Sequence, residues 1–223
     1  MKFILIAAIA LTPLLAKDNE PAQRLDSAAA VFSEVMGAPD KGIPQEMLEH
    51  AYCIVIVPDL KTGAFIVGGK YGKGVLSCRN KVGAGWSAPA NVRIEGGSVG
   101  FQIGGSSTDL IMLVMNERGA DKLLSSKFTL GAEGSVAAGP VGRTATAQTD
   151  AQMHAEMLSY SRARGIFGGL SLEGATLRPD QEANRELYGK DMSSREILAS
   201  KVKTPPAAEK LRHVIDGESN HKQ

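Results

Sequence analysis

Leu110-Ile-Met-Leu-Val-Met115 is apolar at every position. A strand with one wet face alternates polar and apolar residues. This run does not, so both its faces are expected to be buried, at the centre of a sheet. Asn116-Glu117-Arg118-Gly119 ends it. Upstream, Tyr52-Cys-Ile-Val-Ile-Val57 has the same β-branched, apolar character and meets Pro58-Asp59, which is expected to close the strand. Between these two runs, turn residues separate further strand-like segments at Ala64 to Val67, Val75 to Cys78, Val92 to Glu95 and Ser98 to Ile103. Beyond them, strands are expected at Gly134 to Ala138, Arg143 to Gln148, Met157 to Arg162 and Gly165 to Glu173.

Helical patterning lies outside this block. Leu25, Ala28, Ala29, Phe32, Val35 and Met36 follow three-four spacing, with Pro21 in the first turn and Gly37 as the stop. A short helix follows Ile43-Pro44, and Ala120 to Ser125 makes a helical turn or two. Downstream, Asp180 to Leu187 and Ser193 to Ala199 read as helices, the second opened by a Ser193–Glu196 capping box. A last helix starts near Pro206. Strands in the middle and helices at both ends imply an α+β domain: a central, mostly antiparallel sheet of several Gly-rich strands flanked by N- and C-terminal helices.

The length of 223 residues suits one domain or at most two, and 43% hydrophobic residues are enough for a core without metals. Met1-Lys2 followed by the apolar run Phe3 to Leu15 reads as a secretory signal peptide ending at Ala16. The expected organisation is therefore residues 1–16 as signal peptide, 17–204 as the domain, and 205–223 as a C-terminal helix and frayed tail. An exported protein follows, periplasmic or secreted, with no lipid-anchor cysteine after the apolar run. Loss of Lys2 takes the formal charge from +1 to 0, which argues against nucleic acid as a partner. Cys53 and Cys78 are the only cysteines. An even count in an exported chain permits a disulfide, and two packed thiols in neighbouring strands are the alternative.

Charge is segregated in one place. From Lys61 to Arg93 there are six basic residues, Lys61, Lys70, Lys73, Arg79, Lys81 and Arg93, and no Asp or Glu; the only tryptophan, Trp86, lies among them. Basic residues beside an aromatic anchor suit an anionic lipid surface, with Trp86 at the interface. Solvated strand edges guarded by lysine would carry the same pattern.

Other chemistry finds little support. The cluster Gly68-Gly-Lys-Tyr-Gly-Lys-Gly74 lacks the glycine and the hydroxyl that a phosphate loop needs, so it reads as a tight hairpin or a close strand approach. His50, His154, His213 and His221 stand alone, and no metal or cofactor is expected. Ser159 or Ser161 with His154 would be the elements of a serine hydrolase, without the glycine elbow that presents such a nucleophile; strand hydroxyls bonded to backbone are the simpler reading. Asp109 and Asp150, beside Thr108 and Thr149, suit turn capping better than acid–base work. No enzyme is expected.

The separated motifs Ile54-Val-Ile-Val-Pro58, Gly63-Ala-Phe-Ile-Val-Gly-Gly-Lys-Tyr-Gly-Lys-Gly-Val-Leu76, Trp86-Ser-Ala-Pro89, Gly97-Ser-Val-Gly-Phe-Gln-Ile-Gly104, Ser107 to Asn116, Ala138 to Arg143, Tyr160-Ser-Arg162 and Tyr188-Gly189 stand in one order. In these the chain resembles the SYLF domain, also called the Ysc84 or DUF500 family, over roughly residues 24 to 200. The resemblance implies a binding module. Eukaryotic members bind phosphoinositides and other anionic membranes, and some bind and bundle actin. The helix around Leu25 to Met36 sets Arg24 against Asp26 and Glu34, so the basic helix that serves lipid binding in such members is missing. For an exported bacterial-type member, anionic lipid is the expected partner, an envelope protein the alternative, and actin binding is not expected.

Overall fold

The computed structural model describes residues 19–38, 42–81, 84–125, 127–131, 135–142, 154–163, 166–168, 172, 174–199 and 201–219, with the side chains of 64–67, 98–104 and 166–168 left aside. The segments expected at residues 1–16 and at Arg143 to Gln148, together with Asp150 and His221, lie outside the described residues.

Two long strands dominate. β1 (Cys53–Cys78) and β2 (Ala90–Val114) pair antiparallel along almost their whole length. The four short strands expected between them are therefore stretches of two bent ones. Pro58-Asp59 does not end the first. The register shifts between Val57 and Leu60, and Asp59 takes a φ of 51°. A proline is tolerated at such a bulge, and aspartate is among the few residues that enter the left-handed region readily. A second shift lies between Ala64 and Ile66.

The other edge of β2 is shared. β5 (Met157–Ala163) lies along Asp109 to Val114, and β7 (Thr176–Pro179) along Val92 to Glu95. β3 (Phe128–Thr129) extends the sheet beyond β7, while β4 (Val136–Ala138) and β6 (Ile166–Gly168) pair with β5, only β4 in parallel. The Leu110 run thus sits between β1 and β5, and Leu110 to Val114 are at most 1% exposed.

The sheet separates two cores. Inside its curl lie Val55, Val57, Leu60, Val92, Ile94, Leu110, Met112, Val114 and Leu177. On its outer face Ile54, Ile56, Val75, Ile111, Leu113, Leu158 and Tyr160 meet the helices α1 (Glu20–Met36) and α2 (Gln45–His50) and the C-terminal helix. Between them in the chain come α3 (Glu117–Leu123), α4 (Gln181–Tyr188) and α5 (Ser194–Ile197), which carries the expected capping box. A 3₁₀ turn at Pro206–Ala208 opens α6 (Glu209–Ser219), whose Leu211 and Ile215 are 1% exposed in the same core as α1.

β1 also folds back across itself. A Cβ on Gly74 would stand 2.3 Å from the carbonyl oxygen of Ile56, and one on Gly72 would stand 2.7 Å from Val57 Cγ1. These glycines serve a close approach, one of the two roles the sequence allows them. The crossing brings the strand's ends together. The Arg79 amide donates to the Tyr52 carbonyl at 2.8 Å, and Cys53 and Cys78 form a disulfide with their Cα atoms 3.9 Å apart.

Candidate functional site

The six basic residues do not form one patch. Arg79 turns inward. Its Nε donates to the Ala51 carbonyl at 2.9 Å and its Nη2 to the Leu48 carbonyl at 3.0 Å, so it caps the end of α2. Its guanidinium lies 4.7 Å from the Trp86 ring centroid. Burial pushes the Arg79 pKa down from its ordinary value, with Glu49 and Asp216 acting the other way.

Trp86 is 3% exposed, which corrects its expected place at an interface. Its indole N–H donates to Ser219 Oγ at 2.8 Å and its amide to Asp216 Oδ1 at 3.1 Å, both on α6. The ring is the keystone between Arg79 and the C-terminal helix. Lys81 is exposed beside Glu117, and Lys61 is exposed on β1.

A different cationic group emerges from the register. Lys73 on β1 stands opposite Arg93 on β2, and Arg93 stands opposite Arg178 on β7. Residues in register across neighbouring strands present their side chains on one face. The three side chains are each 37% exposed. Two places along β1, on the same face, Tyr71 is 47% exposed opposite Glu95. Glu95 pairs with Arg93 at 2.5 Å and reaches Arg178 at 3.9 Å, while Glu20 of α1 takes Lys73 at 3.0 Å. The hydrogen bond from Lys73 to Glu20 raises the lysine pKa. Arg178 was outside the charge count that ended at Arg93; only strand pairing places it here. Lys70 lies three residues before Lys73, opposite Gly96.

The rival serine chemistry finds another use for its hydroxyl: Ser159 Oγ donates to the Ala137 carbonyl at 3.1 Å, across the β4–β5 pair. Asp109 accepts from the Asp59 amide and pairs with Arg162 at 3.2 Å. Among the described residues no three His, Cys, Asp or Glu side chains gather as a metal site, and no helix is long and apolar enough to cross a membrane.

A curled sheet carrying these motifs has known relatives. The family model described as "Ysc84: Las17-binding protein actin regulator" matches residues 95–217. The chain belongs to the Ysc84 family. Protein YSC84 of Saccharomyces cerevisiae is 36% identical over 187 residues, 82% of this chain and 39% of the relative. LAS seventeen-binding protein 3 of the same species is 34% identical over 206 residues, 91% and 44% of the two chains. SH3 domain-containing YSC84-like protein 1 of Bos taurus is 33% identical over 188 residues, 83% and 54%. This Ysc84-family chain thus spans about half or less of the curated relatives it matches.

Two expectations are corrected by these findings. Relatives of this similarity are yeast and vertebrate proteins, so an exported, bacterial-type, periplasmic or secreted member is not supported. That expectation rested on the Met1-Lys2 start, the apolar run Phe3 to Leu15 and a cleavage position at Ala16. The dismissal of actin rested in turn on export, and a family described as an actin regulator overturns it.

Proposed function

We propose that this domain is a non-enzymatic binding module that meets anionic lipid headgroups through one sheet face and serves actin regulation. The observation that carries the reading is the in-register row Lys73, Arg93 and Arg178 with Tyr71 exposed beside it. The ion pairs that occupy the row are partly exposed, and such pairs contribute only about 0–1 kcal/mol. A phosphate can therefore compete with Glu20 and Glu95 for these cations. Each basic residue near an anionic membrane adds about 1 kcal/mol, so three give weak, salt-sensitive attachment. Tyr71 supplies an amphipathic ring at the rim.

Vesicle co-sedimentation tests the reading. The protein is expected to pellet with phosphatidylserine or phosphoinositide vesicles, to ignore neutral ones, and to detach as salt rises. Lys73→Glu, Arg93→Glu and Arg178→Glu together should abolish pelleting while circular dichroism stays native. Equal pelleting with neutral vesicles, or undiminished pelleting by the folded triple variant, would sink it. A second reading, a protein partner in actin regulation, draws on the description of the matching family. Co-sedimentation with actin filaments, in the absence of lipid, separates the two.

A further inference from the structure

The Cys53–Cys78 bond borders a cleft. A cavity of about 630 Å³ opens where the ends of β1 meet, lined by both cysteines, by Tyr52 and Arg79, and by Ala120 of α3 and Leu198 at the end of α5. The two sulfurs are placed unequally. Cys53 is 2% exposed within the inner core, whereas Cys78 is half-buried and only packs against that core's margin. Basic groups surround the Cys78 side: Arg79 follows it in the chain, and Lys81 and Arg195 stand on the wall, offset by Glu117 and Asp121. Tyr52, 48% exposed, offers a ring at the mouth.

We propose that this cleft is a thiol-exchange site, in which a low-molecular-weight thiol of the glutathione class attacks Cys78 and opens the seam of the sheet. An attacking thiolate must approach a disulfide sulfur from open space, and access decides which sulfur it takes. Both cysteines border the cleft, and Cys78, the less buried of the two, is the more open to attack. The thiolate forms a bond to Cys78 Sγ, the Cys53–Cys78 bond breaks, and its electron pair leaves on Cys53 Sγ, which takes a proton from water. A second thiol then attacks the mixed disulfide, releases the oxidised small thiol and leaves both cysteines reduced. Lys81 and Arg195, held on the wall in exposed ion pairs with Glu117 and Asp121, can turn to the carboxylates of such a thiol. The effect travels further than the bond. Arg79, next to Cys78, holds the end of α2 and the Trp86 ring, and Trp86 is bonded to α6. Opening the seam therefore loosens the anchor of the C-terminal helix, and Trp86 fluorescence reports it.

The folded protein, purified without reductant, is mixed with reduced and oxidised glutathione, quenched with acid and mapped by mass spectrometry. A single glutathione on Cys78, with native circular dichroism, is expected. Cys53→Ser leaves Cys78 unpaired and should take glutathione readily; Cys78→Ser should leave Cys53 unmodified until the chain is unfolded. Ala120→Phe narrows the cleft from its α3 wall and should slow the adduct roughly tenfold, because access governs the rate. A glutathione on Cys53, no adduct below denaturing conditions, an unchanged rate in the folded Ala120→Phe variant, or two free thiols in the protein as purified would each overturn the proposal.

Discussion

Gly74 and Gly63 lie on one strand with opposite obligations. At Gly74 a methyl group would press into the Ile56 carbonyl and the Val57 side chain, most of which is backbone that cannot yield. At Gly63 a methyl would meet nothing within 4 Å. Gly74→Ala should therefore destabilise the domain by about 3 kcal/mol, as overpacking in a tight crossing does. Gly63→Ala should be neutral or add about 0.5 kcal/mol by restricting the unfolded chain. Urea denaturation of the two variants decides it, and equal midpoints would show that β1 does not cross itself where described. Trp86 shows what one residue's neighbours in sequence conceal. Its setting among Lys and Arg suggested a surface, yet the groups that claim it, Asp216 and Ser219, lie 130 and 133 residues away. No local pattern carries that information.

At the scale of elements, α1 is fastened along its length. Glu20 pairs with Lys73, Arg24 with Asp180, Asp26 with Lys210 and Glu34 with Arg162. The polar face that carries Arg24, Asp26 and Glu34 is therefore largely spoken for, and Arg24 is only 6% exposed. Burial pushes the Glu20 carboxyl up, but hydrogen bonds from Arg24 and Lys73 outweigh it and hold the pKa below its ordinary 4.5. A lowered folded value means that this anchor contributes fully above that ordinary pKa and is lost as pH falls through the lower, folded one. Following the Glu20 carboxyl carbon by NMR should give a midpoint under 4.5, moving back toward it in Lys73→Ala. A midpoint at or above the ordinary value in the unaltered protein would count against the clamp. The elements themselves were largely legible. Apolar runs marked Cys53 to Val57 and Leu110 to Val114, and spacing with Pro21 and Gly37 marked α1 within a residue. β3 and β7 were not, because two and four residues of mixed polarity carry no period. Nor was the continuity of β1 through Pro58, since a bulge obeys the partner strand rather than the local turn signal.

Across the whole molecule, the fold class could be read from the order of patterns, whereas the cationic row could not. Lys73, Arg93 and Arg178 are separated by 20 and 85 residues and meet only because β1, β2 and β7 pair in that register. Of the acid-free stretch, Lys73 and Arg93 lie half-exposed in the row, whereas Arg79 turns inward and Trp86 is buried. The disulfide belongs to this scale as well, for it ties the two ends of a 26-residue strand. Pulled from its termini, a chain with that bond intact keeps 25 residue steps locked inside a loop. At roughly 3.6 Å per step this hides about 90 Å of contour length. Single-molecule stretching should release that extra length only after reduction, and equal lengths in both redox states would mean that the bond does not form. A domain held at both ends would then have an extensibility set by chemistry: a short, stiff tether when oxidised and a longer, more compliant one when reduced.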